Sequence, residues 1–249
     1  CRRQRRETDP MKTTTPIRAI LFDKDGTLID YHQSWGPTNR RAAKIAAAGD
    51  ATLEERLLEL GGMDADSGLT QADSLFAAGN TREIAEAWIA AGSPFELEAL
   101  IQALDTLFQG VASAAVPVTD LRDFFERLKE RGLAIGIASS DSEAAIRLML
   151  RTFGVEELVS YVAGYDSGYG WKPEAGMLLG FAKALAIPPT QIAVVGDNLH
   201  DMAMAIAGGA GLRVGVLSGT GRRETLAPVA DLCLPSIAAL DLDQLVPLP

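Results

Sequence analysis

Short apolar runs, each closed by small or polar residues, recur at 17–22, 133–138, 192–195 and 212–216, with weaker runs at 161–163 and 231–234. Runs of this length without polar alternation predict parallel strands buried on both faces. Between them the spacing turns helical. In 120–131, Leu121, Phe124, Phe125 and Leu128 fall at i, i+3, i+4 and i+7, one apolar stripe that Gly132 ends. Segments 142–153, 174–186 and 201–207 follow the same logic. Strand alternating with helix predicts an α/β fold, a doubly wound parallel sheet, whose ligands sit beyond the C-terminal ends of the strands.

From 31 to 116 this rhythm breaks. The stretch is rich in Ala, Leu and Glu, lacks convincing strands, and predicts four or five helices. Asn80 and Glu83 have the form of a reciprocal helix cap. Gly92, Ser93 and Pro94 separate two helices, the second expected to open at the proline. The division that follows is an N-terminal extension at 1–15, a core built from 16–30 and 117–249, and a helical block at 31–116 placed as a lid candidate.

Length and charge narrow the function. A chain of 249 residues suits one large domain, or one main domain with an insert, and 47% hydrophobic residues can fill a sizeable core. A formal charge of −10 with no basic face excludes nucleic acid as the expected partner. No apolar stretch reaches the roughly 18 residues of a membrane span. Cys1 and Cys233 read as unpaired thiols, which suits a reducing cytoplasm. The opening residues, with Arg2, Arg3, Arg5 and Arg6, lack the apolar core of a secretory signal, and Met11 is the expected natural start. Oligomeric state leaves no trace in the sequence.

Four strand ends carry candidate chemistry. Asp23 and Asp25 interrupt an apolar run directly after the first strand, and Gly26 permits the sharp turn that follows. Ser139, Ser140 and Asp141 end a second strand, where a hydroxyl and free helix-opening amides can cradle phosphate; Ser140 to Glu143 also fits an ordinary capping box. Lys172 precedes Pro173 after a loop rich in Gly and Tyr, and could neutralise a phosphate as a point charge. Gly196, Asp197, Asn198 and Asp201 end a further strand and enter a helix. Asp23, Asp197 and a backbone carbonyl near Asp25 would supply oxygen ligands for Mg²⁺.

In this order, DxDGT, then Ser after a strand, then Lys, then GDxxxD, the motifs resemble those of the haloacid-dehalogenase-like hydrolase superfamily from Ile17 onward. The tail at 215–221 is similar to that of phosphoglycolate-phosphatase-like members. The resemblance implies a Rossmann-like core with a small α-helical cap and a Mg²⁺-dependent phosphatase. Asp23 would attack phosphorus and form an aspartyl-phosphate. Asp25 would first protonate the leaving alkoxide, then deprotonate the hydrolytic water. Gly26, Thr27, Ser139, Ser140 and Lys172 would hold the phosphate, with Asn198 and Asp201 in support. The expected substrate is a small phosphorylated metabolite, with 2-phosphoglycolate the leading candidate.

Within that family Asp25 argues against dehalogenation, because a halide leaves without a proton. Phosphonate hydrolysis would need a cap lysine; Lys44 is the only lysine from 31 to 116, and its surroundings place it at the surface. A phosphoglucomutase-like transferase would keep all four motifs and need a water-excluding cap. A non-catalytic binding protein would be expected to have lost a motif residue, and none is missing. Lys24, Tyr31 and His32 depart from common members of the family, and His32 approaches from the entry to the helical block. His200 is expected to be a half-exposed helix residue, and the Gly-rich loop at 61–68 is a candidate for substrate selection.

Overall fold

The computed structural model describes residues 16–72 and 74–245. The expected N-terminal extension, with Cys1, Met11 and its arginines, lies outside the described residues. Six strands form one sheet: β1 (Ala19–Phe22), β2 (Ala134–Ala138), β3 (Tyr161–Ala163), β4 (Ile192–Gly196), β5 (Leu212–Val216) and β6 (Leu232–Leu234). All pairings are parallel, in the order β3-β2-β1-β4-β5-β6, so β1 lies inside the sheet between β2 and β4. The helices are α1 (Tyr31–Ala46), α2 (Ala51–Gly61), α3 (Leu75–Ala78), α4 (Thr81–Ala90), α5 (Leu97–Gln109) and α6 (Val111–Ala114). They continue with α7 (Leu121–Glu130), α8 (Glu143–Thr152), α9 (Gly176–Leu185), α10 (Leu199–Gly208), α11 (Arg223–Leu226) and α12 (Leu242–Leu245).

Alternate residues of one strand serve opposite faces, and both faces of the inner strands are covered, which is why β1, β2 and β4 carry no polar side chain; β5 carries one, Arg213, paired with Asp231 at 2.7 Å. Ile20 and Phe22 pack with Phe124, Phe125 and Leu128 of α7 and with Ile146 and Met149 of α8. Ala19 and Leu21 pack instead with Met177, Leu178 and Phe181 of α9 and Met204 of α10. The stripe read from 120–131 is the buried face of α7, capped by Asp120, whose carboxylate accepts the Asp123 amide at 3.1 Å.

The segment between β1 and α7 contains four longer helices and two of a single turn, and packs around its own apolar cluster of Ala42, Ala43, Leu57, Ile84, Trp88 and Leu100. Asn80 and Glu83 form the reciprocal cap of α4. The helix after Gly92 opens at Leu97, not at Pro94. Ser93 ties the turn down instead: its hydroxyl donates to Ala46 O at 2.7 Å and its amide to Trp88 O at 3.0 Å. The segment leaves and rejoins the sheet side by side, with Asp30 N donating to Val116 O at 2.8 Å and Val118 N to Leu28 O at 3.0 Å. No helix among the described residues is long and apolar enough to cross a membrane.

Candidate active site

Sheet register brings the chemistry together. Phe22 lies opposite Ile137 on one side and Val195 on the other, so β2, β1 and β4 end level with one another. Asp23, Ser139 and Asp197 occupy these adjacent strand ends. Lys172 arrives from the loop after β3, through a cis peptide bond to Pro173. Its Nζ lies 2.5 Å from Asp23 Oδ1 and 2.6 Å from Asp201 Oδ1. Asp201, one turn into α10, has its other oxygen on the Asn198 amide at 3.0 Å, so it caps the helix and braces the lysine together.

Carboxylate oxygens of Asp23, Asp197 and Asp201 lie within 4.8 Å of one another, and all three residues are buried. Burial raises the Asp23 pKa to about 7; Lys172 opposes the shift, while Asp201 and Asp25 add to it. Burial also pushes Asp197 well above the ordinary carboxylate range, helped by the charges of Asp23 and Asp201. Burial works against the Lys172 cation too, but Asp201 and Asp23 outweigh it and hold the amine above its ordinary value. When ionised, three buried carboxylates with one lysine leave an excess of negative charge. Closely set hard oxygens carrying such an excess fit a small divalent cation, and Asp23, Asp197 and Asp201 are the side chains that would hold it.

Asp25 lies outside this acidic group. Its Oδ2 is 2.6 Å from Lys24 Nζ, and its Oδ1 accepts from Trp35 Nε1 at 2.5 Å. Ser139 is buried, and its hydroxyl accepts the Asp141 amide at 3.1 Å. Ser140 is exposed and does not cap α8; Ser142 does, accepting the Ala145 amide at 3.3 Å. The difference arises because the chain needs residues 139–141 to round the strand end before the helix begins. Thr27 is fully buried, and its hydroxyl has no hydrogen-bond partner among the described residues.

Gly26 has φ +78°, and a Cβ there would lie 2.6 Å from Asp197 Oδ2 and 2.7 Å from Gly219 Cα. The glycine is therefore required both by backbone conformation and by the close approach of three loops. Gly26→Ala is expected to destabilise the protein by at least roughly 1–2 kcal/mol, the cost of a left-handed residue alone. Urea denaturation checks this, and an unchanged midpoint would show that the loops can move apart.

Several contributors left little trace in the sequence. The Thr220 amide donates to Asp197 Oδ2 at 2.8 Å, and the Ser218 hydroxyl to Gly26 O at 2.7 Å. Their only sequence signal is the Gly-rich tail after β5. Trp35 had none. Thr70 N donates to His32 Nδ1 at 3.4 Å, His200 is half-buried on α10, and Lys44 is exposed on α1. Loop 61–68 is closed by its own hydrogen bonds, Gly68 N to Asp64 O and Asp64 N to Leu69 O, each at 2.8 Å.

Residues 17–209 match the sequence profile of the haloacid dehalogenase-like hydrolases. Phosphoglycolate phosphatase of Shigella boydii is 26% identical over 250 residues, covering 93% of this chain and 92% of that protein. Among solved structures, a HAD family hydrolase from Deinococcus radiodurans is 21% identical with a TM-score of 0.66, covering 90% of this chain and 93% of its own. CbbY from Rhodobacter sphaeroides is 22% identical with a TM-score of 0.63, covering 92% and 99%. At these identities the two structures bear on the fold alone, and the profile match covers most of the chain. The carboxylates and lysine gathered at the ends of β1 and β4 fall inside that match, and the chain belongs to the haloacid dehalogenase-like hydrolases.

Proposed function

We propose that this phosphatase is a Mg²⁺-dependent phosphomonoester hydrolase that works through an aspartyl-phosphate on Asp23. The placement of Asp23 carries this reading: it ends the strand flanked by β2 and β4, with one oxygen held by Lys172 at 2.5 Å. Asp23 forms the bond to phosphorus as the bond to the leaving oxygen breaks, and Asp25 supplies the proton which that oxygen takes up. Water then attacks phosphorus, gives its proton to Asp25, and releases phosphate and the Asp23 carboxylate. Ser139 and Lys172 hold phosphoryl oxygens, and their fixed charge and dipoles supply the main stabilisation of the transition state. Mg²⁺, when bound, screens the approach of the phosphate to the carboxylate.

In this reading the helices from 31 to 116 cap the site and choose the leaving group, with loop 61–68 and His32 on the selecting side. Asp25 supports ester over halide chemistry. The similarity to phosphoglycolate phosphatase over 93% of the chain makes 2-phosphoglycolate the first substrate to try. A panel of phosphorylated metabolites, assayed for phosphate release with Mg²⁺ and with EDTA, tests the proposal. We expect small monoesters to be hydrolysed only with the metal, 2-phosphoglycolate best. Equal rates in EDTA would remove the metal dependence, and preference for another ester would replace the substrate.

A further inference from the structure

The steps above leave Lys24 without a role, although it stands between the two acidic residues that perform them. It is 1% exposed, one of the largest fully buried side chains of the molecule. A cation in such a place is costly unless paired. Its partners come from three elements. Nζ lies 2.6 Å from Asp25 Oδ2 at the exit of β1, 3.2 Å from Asp141 Oδ2 after β2, and 5.9 Å from the centre of the Trp35 ring on α1. Burial disfavours the ammonium, but Asp25 and Asp141 outweigh that and hold it above the ordinary lysine range.

We propose that Lys24 is a positioning residue that grips Asp25 by Oδ2 and so reserves Oδ1 for the leaving oxygen. The inference rests on the acid role of Asp25 proposed above. An ammonium offers donors only, so the carboxyl oxygen facing it must accept. The same holds for Oδ1 while it accepts from the Trp35 indole, so Oδ1 passes a proton to the leaving oxygen only once that contact is given up. In this structure Oδ1 accepts from the Trp35 indole at 2.5 Å, a contact it exchanges for the leaving oxygen. The O–H bond of Oδ1 breaks as the proton joins that oxygen, leaving a carboxylate fixed by Lys24. The same Oδ1 later takes a proton from the attacking water. Asp141 steadies the lysine from the neighbouring loop.

Two aryl esters of similar shape separate this from a purely structural role. p-Nitrophenolate leaves without help, whereas the phenolate of phenyl phosphate is more basic and leans on the acid. With Lys24→Met, kcat/KM for phenyl phosphate is expected to fall roughly 10–100-fold, part of the about 10²–10⁴-fold that acid–base assistance supplies. For p-nitrophenyl phosphate it should fall less than about threefold on the same grounds. Lys24→Arg should restore most of the loss. If the methionine variant does not fold, Lys24→Gln, one atom shorter and uncharged but still a hydrogen-bond donor, carries the same comparison. Equal losses on both esters, or none, would overturn the proposal. Asp25→Asn is the control: selectivity there but not at Lys24 overturns only the lysine's role, while no selectivity in Asp25→Asn overturns the acid assignment and this inference together.

Discussion

Asp23→Asn is expected to abolish turnover of p-nitrophenyl phosphate, by on the order of 10⁴–10⁶-fold, as removal of a covalent nucleophile does elsewhere. An amide is a poor nucleophile, and the aspartyl-phosphate cannot form on it. Fold stability should not follow the activity down. The Asp23 carboxyl is buried and its pKa is raised to about 7, mainly by that burial, so its ionised form is disfavoured by the native surroundings. Asparagine keeps the shape and removes the charge. Lys172 retains Asp201 at 2.6 Å as its partner. Thermal melting at pH 7.5 beside the activity assay checks both halves. Activity close to wild type in Asp23→Asn would remove Asp23 as the nucleophile.

The second large effect concerns the metal and pH together. Without a divalent cation, Asp23 has a folded pKa of about 7 against an ordinary 3.8. The folded chain then binds the proton more tightly than the unfolded chain does. The stability this contributes is fully present below 3.8 and is lost as pH rises through about 7. Asp197 shifts in the same direction. Other acids pull the opposite way: Glu143 is held low by hydrogen bonds from Ser167 and Arg147, and Asp231 by Arg213. The quantity to measure is therefore the difference between wild type and Asp23→Asn in EDTA. Relative to the variant, wild type should weaken from pH 4 to pH 8. Mg²⁺ should reverse the loss, by about 2.7 kcal/mol at a hundredfold excess over Kd. Asp197→Asn should blunt that response. A melting temperature indifferent to Mg²⁺ at pH 8 would contradict the assignment of these carboxylates to a metal.

Strands β1, β2 and β4 were legible because burial on both faces leaves unbroken apolar runs, and the ends of β3 and β5 coincide with the runs read for them although Arg213 interrupts β5. Asp23, Asp197 and Asp201 were legible for a related reason, since polar residues that close a buried strand stand out against it; Lys172, beyond a polar loop after β3, drew attention only in company with them. The contacts of Lys24 were not. Trp35 lies in another element, and a single side chain meeting another across a turn leaves no period to read. Thr220 reaches Asp197 across 23 positions, with its amide at 2.8 Å and its hydroxyl at 3.4 Å, and the shorter contact is one that no side-chain pattern encodes. Ser140 and Ser142 show a finer limit. Both have the chemistry of a cap, and only the path of the chain around the strand end decides between them.

The paired crossings at Leu28–Asp30 and 116–118 bear on how such an enzyme can diversify. Ile29 and Pro117 lie bridged in antiparallel fashion there, so the two ends of the helical stretch are neighbours, about one strand spacing, 4.8 Å, apart. That stretch can lengthen, shorten or be exchanged for another of different shape without moving Phe22 against Ile137 or Val195. Choice of substrate and execution of the reaction are thus separable by inheritance as well as by geometry, but the separation is incomplete, because Trp35 travels with the stretch and its indole donates to Asp25 Oδ1 at 2.5 Å.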